Sequence, residues 1–399
     1  MAPLTLAPLP AKPDFNDLAA TFSHKSDREV KEAYWLFRLM NNPLLMKALT
    51  SASKLAMRLH LPVRSLIRGT VYKHFCGGES VEEALQVIDK LEDHHIAAVL
   101  DYAAEAQDKE EGYELALNHI LHNITLAQKS TGIGAISVKM TGLGSFAIFE
   151  KLAAGLVLSD AEEQSYERTK MRLLTICELA ADSDVNIYID AEESWIQAPI
   201  DELTEEMMER FNMEDVLVFT SLQMYRTDRL EYLEDLLQRA EERGYQAGVK
   251  LVRGAYWEKE RERAEKLSYT SPVYPTKAKT DESFNKAVIM CLERLPRVEL
   301  CLATHNQESI QMVVREIQQR QLQAFIPYLH FSQLYGMSDN LTFAMARAGF
   351  NTSKYLPYGE VDKALPYLIR RAEENTAIAG QMGRELALLK EEMKRRKLN

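Results

Sequence analysis

The sequence predicts an α/β protein, a (β/α)8 TIM barrel preceded by a helical region, and three observations carry that expectation. Eight short apolar runs alternate with amphipathic helical stretches. Unbroken apolar runs mark strands buried on both faces, hence a parallel sheet covered by helices. Eight such units in about 300 residues suit a closed barrel better than an open sheet. Charged and polar residues also recur at the C-terminal ends of the runs, where a barrel keeps its chemistry.

Composition sets the bounds. The chain has 399 residues, 46% hydrophobic and 27% charged, enough to fill a large core and wet its surface. Disordered, collagen-like and coiled-coil classes are excluded on that balance. Lys+Arg 48 against Asp+Glu 59 leaves a net charge of −11. Nucleic acid demands a basic surplus, so it is not an expected partner. Cys76, Cys177, Cys291 and Cys301 lie apart with no CxxC pair, which argues against a thiolate metal site or a disulfide framework. The start, Met1 to Pro8, has no basic region leading an apolar stretch. The longest stretch without Asp, Glu, Lys or Arg, Gln321 to Ser338, holds three Gln, a Pro, a His and two Ser, so it is no membrane span. A soluble, cytoplasmic protein is the expectation.

The elements follow in order. Residues 1–72 read as a helical region behind a Pro-rich lead, with apolar residues at helical spacing through Ala33, Leu36, Phe37 and Met40, then Leu45, Met46 and Leu49, then Leu55 and Leu59. Residues 73–399 read as the barrel. Ser80-Val81-Glu82-Glu83 is a capping box, a hydroxyl for the N3 amide and a carboxylate reaching back, and predicts a helix to about Leu91. The eight runs are Ile96–Tyr102, Ala135–Met140, Val185–Ala191, Val216–Gln223, Ala247–Gly254, Val298–His305, Ala324–Phe331 and Lys354–Gly359. Between the fourth and fifth, Arg226–Arg243 carries Leu230, Leu233, Leu236 and Leu237 on one helical face. The final stretch, Arg384–Lys397, reads as a charged, solvated helix.

The strand ends hold the unusual residues. Strand 2 ends in Lys139, strand 3 in Asp190-Ala191-Glu192-Glu193 and strand 4 in Gln223; strand 5 carries Lys250 and Arg253, and strand 6 ends in Thr304-His305-Asn306. Singly, a lysine could snorkel and Asp190 could cap a helix. Five strands doing so together call for a polar or charged ligand to offset desolvation. After strand 8, Tyr367, Arg370, Arg371 and Glu374 occupy adjoining helical faces. Two neighbouring guanidiniums suit one carboxylate, although an ordinary charged face reads the same way. Gly142-Leu143-Gly144-Ser145-Phe146-Ala147 matches GxGxxA formally, but about 20 residues on, where a ribose-binding acid should end the next strand, Asp160 and Glu162 start a helix, so a turn is expected. His119 and His122 read as packing or surface residues rather than metal ligands. GxSxG and Walker sequences are absent.

Four segments together resemble FAD-dependent proline dehydrogenase in its monofunctional form. They are Lys250-Leu251-Val252-Arg253-Gly254-Ala255-Tyr256-Trp257, Ile189-Asp190-Ala191-Glu192-Glu193, Ala303-Thr304-His305-Asn306 and Arg370-Arg371-x-x-Glu374-Asn375. The resemblance implies a distorted barrel whose last helix lies over the mouth. It implies oxidation of L-proline to Δ1-pyrroline-5-carboxylate, with hydride passing to flavin N5 and electrons to a quinone. Carried over by resemblance, Arg370, Arg371 and Lys139 clamp the proline carboxylate and Asp190 organises Lys139 and the tyrosines. Tyr256, Leu334, Tyr355 and Tyr367 wall the ring, and Glu105 completes the polar network with Arg370. For FAD, the matching contacts are Gln223, Lys250, Val252, Gly254, Ala255, Thr304 and His305, with Lys277 at the pyrophosphate.

Tyr355 matches members that prefer proline to 4-hydroxyproline. Lys250 stands where many bifunctional members have Arg, Pro275 replaces a hydroxyl residue, and Ala103-Ala104-Glu105 replaces the usual Leu-Gly-Glu. With no aldehyde dehydrogenase half after residue 399, a separate pyrroline-5-carboxylate dehydrogenase is the expected partner. The quinone suggests peripheral contact with the inner membrane, which the lysines and arginines of the N-terminal helices permit. Alternatives from other classes are an aldolase-type barrel using Lys139 or Lys250 as a Schiff-base nucleophile, and a non-catalytic amino-acid sensor.

Overall fold

The computed structural model describes residues 10–42, 64–103, 109–377 and 381–398, with side chains described except at 372–377 and 381–382. Eight parallel strands close in sequence order: β1 (Ile96–Tyr102), β2 (Ile133–Val138), β3 (Asn186–Ile189), β4 (Val218–Gln223), β5 (Ala247–Val252), β6 (Val298–Ala303), β7 (Leu329–Leu334) and β8 (Asn351–Tyr358). The seam pairs β1 with β8 from Ile96↔Thr352 to Tyr102↔Tyr358. The expected barrel is therefore the observed one.

Strand alternation decides which residues meet inside. Val99, Ala135, Tyr188, Phe219 and Cys301 form the buried interior, with Tyr355 packed against them. Side chains two residues apart share a face of a strand. Asp101 thus follows Val99 inward, Ser137 and then Lys139 follow Ala135, and Asp190 follows Tyr188. The alternate residues, among them Ala98, Leu100, Ile136, Ile187, Ile189 and Leu251, face the surrounding helices in one large core.

Several strand boundaries differ from the pattern reading. The seventh run begins as a 3₁₀ helix, Gln323–Tyr328, and the strand is Leu329–Leu334. Pro327 has no N–H for a central strand, so the apolar residues before it turn rather than pair. Strand β8 begins at Asn351, earlier than expected, because Asn351-Thr352-Ser353 pair by backbone despite polar side chains. Strand β2 stops at Val138, so Lys139 stands just beyond the sheet. The helix Val81–Glu92 starts as its cap predicts, with Ser80 Oγ accepting the Glu83 N–H at 3.4 Å. The Glu83 carboxylate reaches one residue further than expected, accepting the Glu79 N–H at 2.8 Å.

The last helix, Gln381–Arg395, overturns the solvated reading. It buries Glu385, Leu389 and Glu392 and packs on the helix Asp27–Met40. Leu386, Leu389 and Met393 recur at helical spacing, an apolar stripe masked by the charges around it. Arg396 completes the dock, donating to the Phe22 carbonyl at 2.6 Å and the Asp27 carboxylate at 2.9 Å. A second core thus joins Phe22, Val30, Phe37, Met40, Phe75 and Leu389 to Tyr367 and Leu368 of the helix Val361–Ala377.

Candidate active site

The C-terminal ends of the strands bring two aspartates and two lysines together inside the barrel. Asp190 is the hub. Its Oδ1 accepts from Lys250 Nζ at 2.5 Å, and its Oδ2 accepts from Tyr355 OH at 2.7 Å and Ser137 Oγ at 2.8 Å. Lys139 Nζ donates to Asp101 Oδ1 at 2.8 Å and to Tyr355 OH at 3.0 Å, and lies 3.6 Å from Asp190 Oδ2. Burial alone would raise both carboxyl pKa values. For Asp190 the two ammonium groups and the hydrogen bonds overcome burial and hold it far below the ordinary range. For Asp101, burial wins and the pKa is raised despite Lys139, with Asp190 adding repulsion. The Tyr355 phenol, buried between the two carboxylates, stays a neutral donor.

Beside this cluster, the ends of β4 to β6 form a donor-rich shelf. Gln223 donates from Nε2 to the Glu192 carbonyl at 2.6 Å and accepts the Ala255 N–H at 3.1 Å, which fixes the Gly254-Ala255 turn. Gly254 has φ +126°, and a Cβ there would meet the Tyr225 ring at 2.5 Å, so only glycine fits. Arg253 lies over Phe284 and donates to Asp281 at 2.6 Å, to Ser309 Oγ at 2.9 Å and to Thr304 Oγ1. Lys277 donates to the other oxygen of Asp281. His305 Nδ1 lies 2.9 Å from Ser338 Oγ. Burial first, then the cations Lys354, Arg371 and Arg253, push its pKa down to about 3, so the ring is neutral. Glu192 accepts both the Thr141 N–H at 3.0 Å and its hydroxyl, yet burial raises its carboxyl to about 7.

The helix Val361–Ala377 completes the surroundings. The Arg370 guanidinium stands 5.8 Å from the centre of the Tyr256 ring, linking this helix to the loop after β5. Arg371 is buried, with its guanidinium 5.1 Å from the Tyr367 ring, and Leu334 packs in the same core as Tyr367. Inside the barrel the charges of two lysines and two aspartates balance; the helix brings guanidiniums.

Among the residues expected from sequence, Lys139, Asp190, Lys250 and Tyr355 form one network, Gln223 and Ala255 a second contact, and Arg370 and Tyr256 a third. Val252 ends β5 half-buried, ahead of the Gly254 turn. Lys277 is tied to Asp281 on its own helix, and Thr304 to Arg253. Glu105 lies outside the described residues, as does the Glu374 side chain. Sequence reasoning missed Asp101, whose signal was present: it is the one charged residue in the run Ile96–Tyr102 and shares the parity of Val99. Ser137, Asp281 and Ser309 gave no such signal. His119 stacks on Tyr102 at 3.8 Å, a packing role as expected.

A closed parallel barrel with its polar residues gathered at one end, under a helix bearing paired arginines, defines an enzyme of the (β/α)8 class. The chain belongs to the proline dehydrogenase family, an oxidoreductase family whose description matches residues 84–384. It is 32% identical over 382 residues to the carbapenem antibiotics biosynthesis protein CarD of Pectobacterium carotovorum, covering 96% of this chain and 98% of that one. It is 30% identical over 377 residues to the mitochondrial proline dehydrogenase 2 of Arabidopsis thaliana, covering 84% of this chain and 79% of the other. The crystal structure of proline utilization A (PutA) from Bdellovibrio bacteriovorus, inactivated by N-propargylglycine, shares the fold with a TM-score of 0.70 at 23% identity. That match covers 92% of this chain, which spans 40% of the length of PutA.

Proposed function

We propose that the protein oxidises L-proline to Δ1-pyrroline-5-carboxylate with FAD as its resident cofactor and a quinone as electron acceptor. The observation that carries this reading is the Asp101–Lys139–Asp190–Lys250–Tyr355 network lying at the end of the barrel that the arginine-bearing helix approaches. Proline offers one carboxylate and one amine. The Arg370, Arg371 and Lys139 cations suit the carboxylate through charge-assisted hydrogen bonds, worth roughly 1.5–3 kcal/mol each. Tyr256, Tyr355, Tyr367 and Leu334 supply apolar surface for the ring, and Tyr355 leaves little room for a 4-hydroxyl.

The donor set fits a flavin. Gly254 keeps its turn clear of side chain, Ala255 and Gln223 offer an amide edge, Lys250 brings an ammonium, and Thr304, His305, Arg253 and Lys277 suit the polar length of the dinucleotide. When bound, FAD supplies the hydride acceptor. What the chain does is hold the substrate carbon in line for transfer, exclude water and keep the charges fixed. Asp190 does the last of these by holding Lys250 and Tyr355 at set positions. The product leaves for a separate pyrroline-5-carboxylate dehydrogenase. Among the described residues no helix is long and apolar enough to cross a membrane, and a quinone acceptor would be met by peripheral contact.

The aldolase alternative requires a neutral lysine as nucleophile. Both candidate lysines instead point ammonium groups at carboxylates, which disfavours it. The deciding experiment is a visible absorption spectrum of the purified protein before and after anaerobic L-proline. A flavin spectrum that bleaches is the expected result. A colourless protein that takes up no added FAD would sink the reading, and borohydride trapping with carbonyl substrates would follow.

A further inference from the structure

We propose that Glu385, on the helix Gln381–Arg395, is a positioning residue for the β6 end of the site: acting through Ser338, it fixes the proton of His305 on Nδ1 and leaves Nε2 as the acceptor atom. The role toward a flavin rests on the cofactor reading above; the placement of the proton does not. Glu385 is a buried carboxyl group far along the chain from either β6 or β7. Its Oε1 accepts the Ser338 backbone N–H at 2.9 Å and lies 3.3 Å from Ser338 Oγ.

Glu385 Oε1 is placed to accept from both the Ser338 N–H and the Ser338 hydroxyl, as a carboxylate or carbonyl oxygen does. The single hydroxyl proton of Ser338 is therefore directed to Glu385. Ser338 Oγ then has only lone pairs to offer His305 Nδ1, 2.9 Å away. That contact is a hydrogen bond only when Nδ1 carries the hydrogen. Burial and the cations Lys354, Arg371 and Arg253 keep the ring neutral, so Nε2 is bare.

The backbone points to the same hydroxyl. Ser338 sits at φ +54°, in the left-handed region, at the start of the helix Asp339–Arg347. An L-residue pays to adopt that conformation and glycine does not. What serine adds at this position is its hydroxyl, and the hydroxyl is spent on His305 and Glu385. Around it, Lys354 donates to the Met337 carbonyl at 2.6 Å and pairs with Asp339 at 2.8 Å, holding both neighbours of Ser338.

The test reads the tautomer directly, from long-range ¹H–¹⁵N spectra of ¹⁵N-histidine-labelled protein, with the His305 signals assigned by their loss in His305→Gln. The wild type is expected to show a neutral ring with Nδ1–H, with or without FAD. Ser338→Gly removes the hydroxyl while relaxing the backbone, so it is expected to melt no lower than wild type. It should nevertheless move the proton largely to Nε2 and weaken FAD binding about tenfold, one lost hydrogen bond. Glu385→Gln, whose amide oxygen can accept both bonds, should retain Nδ1–H; Glu385→Leu should not. A wild-type ring with Nε2–H, or Nδ1–H surviving in Ser338→Gly, overturns the relay. Unchanged FAD affinity in Ser338→Gly overturns the positioning role. Because the spectra are also taken without cofactor, a wild type that binds no FAD would sink the cofactor reading while the proton still decides the relay.

Discussion

At the residue scale, the interior network turns on partners rather than on isolated charges. Lys139 is held by Asp101 more closely than by Asp190, 2.8 Å against 3.6 Å. Asp101→Ala is therefore expected to loosen the lysine and lower kcat/KM for proline about ten- to hundredfold, the range of one charge-assisted hydrogen bond. Steady-state kinetics check it; an unchanged value would remove Asp101 from the site. Arg371→Met should raise the proline KM by a similar factor with flavin content unchanged, and a wild-type KM would end the clamp assignment. Glu192 gives a pH prediction. Its carboxyl is raised by burial to about 7 from 4.5. The folded state thus binds a proton more tightly than the unfolded chain, and the stabilisation, complete below about pH 4.5, is lost as pH rises through about 7. Glu192→Gln should flatten this dependence, seen as a smaller fall in Tm between pH 5 and 8 than in wild type.

At the scale of elements, the alternation of each strand decides what reaches the mouth, and backbone packing decides where glycine is required. Gly248 in β5 lies so close to β4 that a Cβ would meet the Val218 carbonyl oxygen at 2.3 Å. Gly248→Ala is expected to cost about 1–3 kcal/mol, as overpacking does, measured by denaturant unfolding. The strands were legible because burial on both faces leaves a continuous apolar signal. Asn351-Thr352-Ser353 and Pro327 escaped that signal, since backbone pairing and a missing N–H do not appear in hydrophobicity. Lys139, Asp190 and Lys250 were legible as charges at the ends of apolar runs. Ser338 and Glu385 were not: a left-handed serine and a carboxylate within a charged helix look ordinary until tertiary contact brings them together.

At the scale of the molecule, one buried ion cluster ties separate parts of the chain. Asp339 pairs with Lys354 of β8 at 2.8 Å and with Lys25, which precedes the helix Asp27–Met40. The two ammonium groups hold the Asp339 carboxyl far below its ordinary range against burial. Lys354→Met should cost about 3–5 kcal/mol, the penalty for breaking a buried pair, and thermal melts should show it. A loss within experimental error would mean that Lys25 alone suffices. The seam of the barrel has a consequence in time. Strand β1 pairs on one side with β2 soon after both are made, but its other side belongs to β8, which ends at Tyr358. At the usual pace of a ribosome, roughly ten to fifty seconds separate the two. For that interval Ile96–Tyr102 is an open edge, the kind that nascent chains bind to one another. The newborn protein is most in need of a chaperone while the chain grows from Tyr102 to Tyr358.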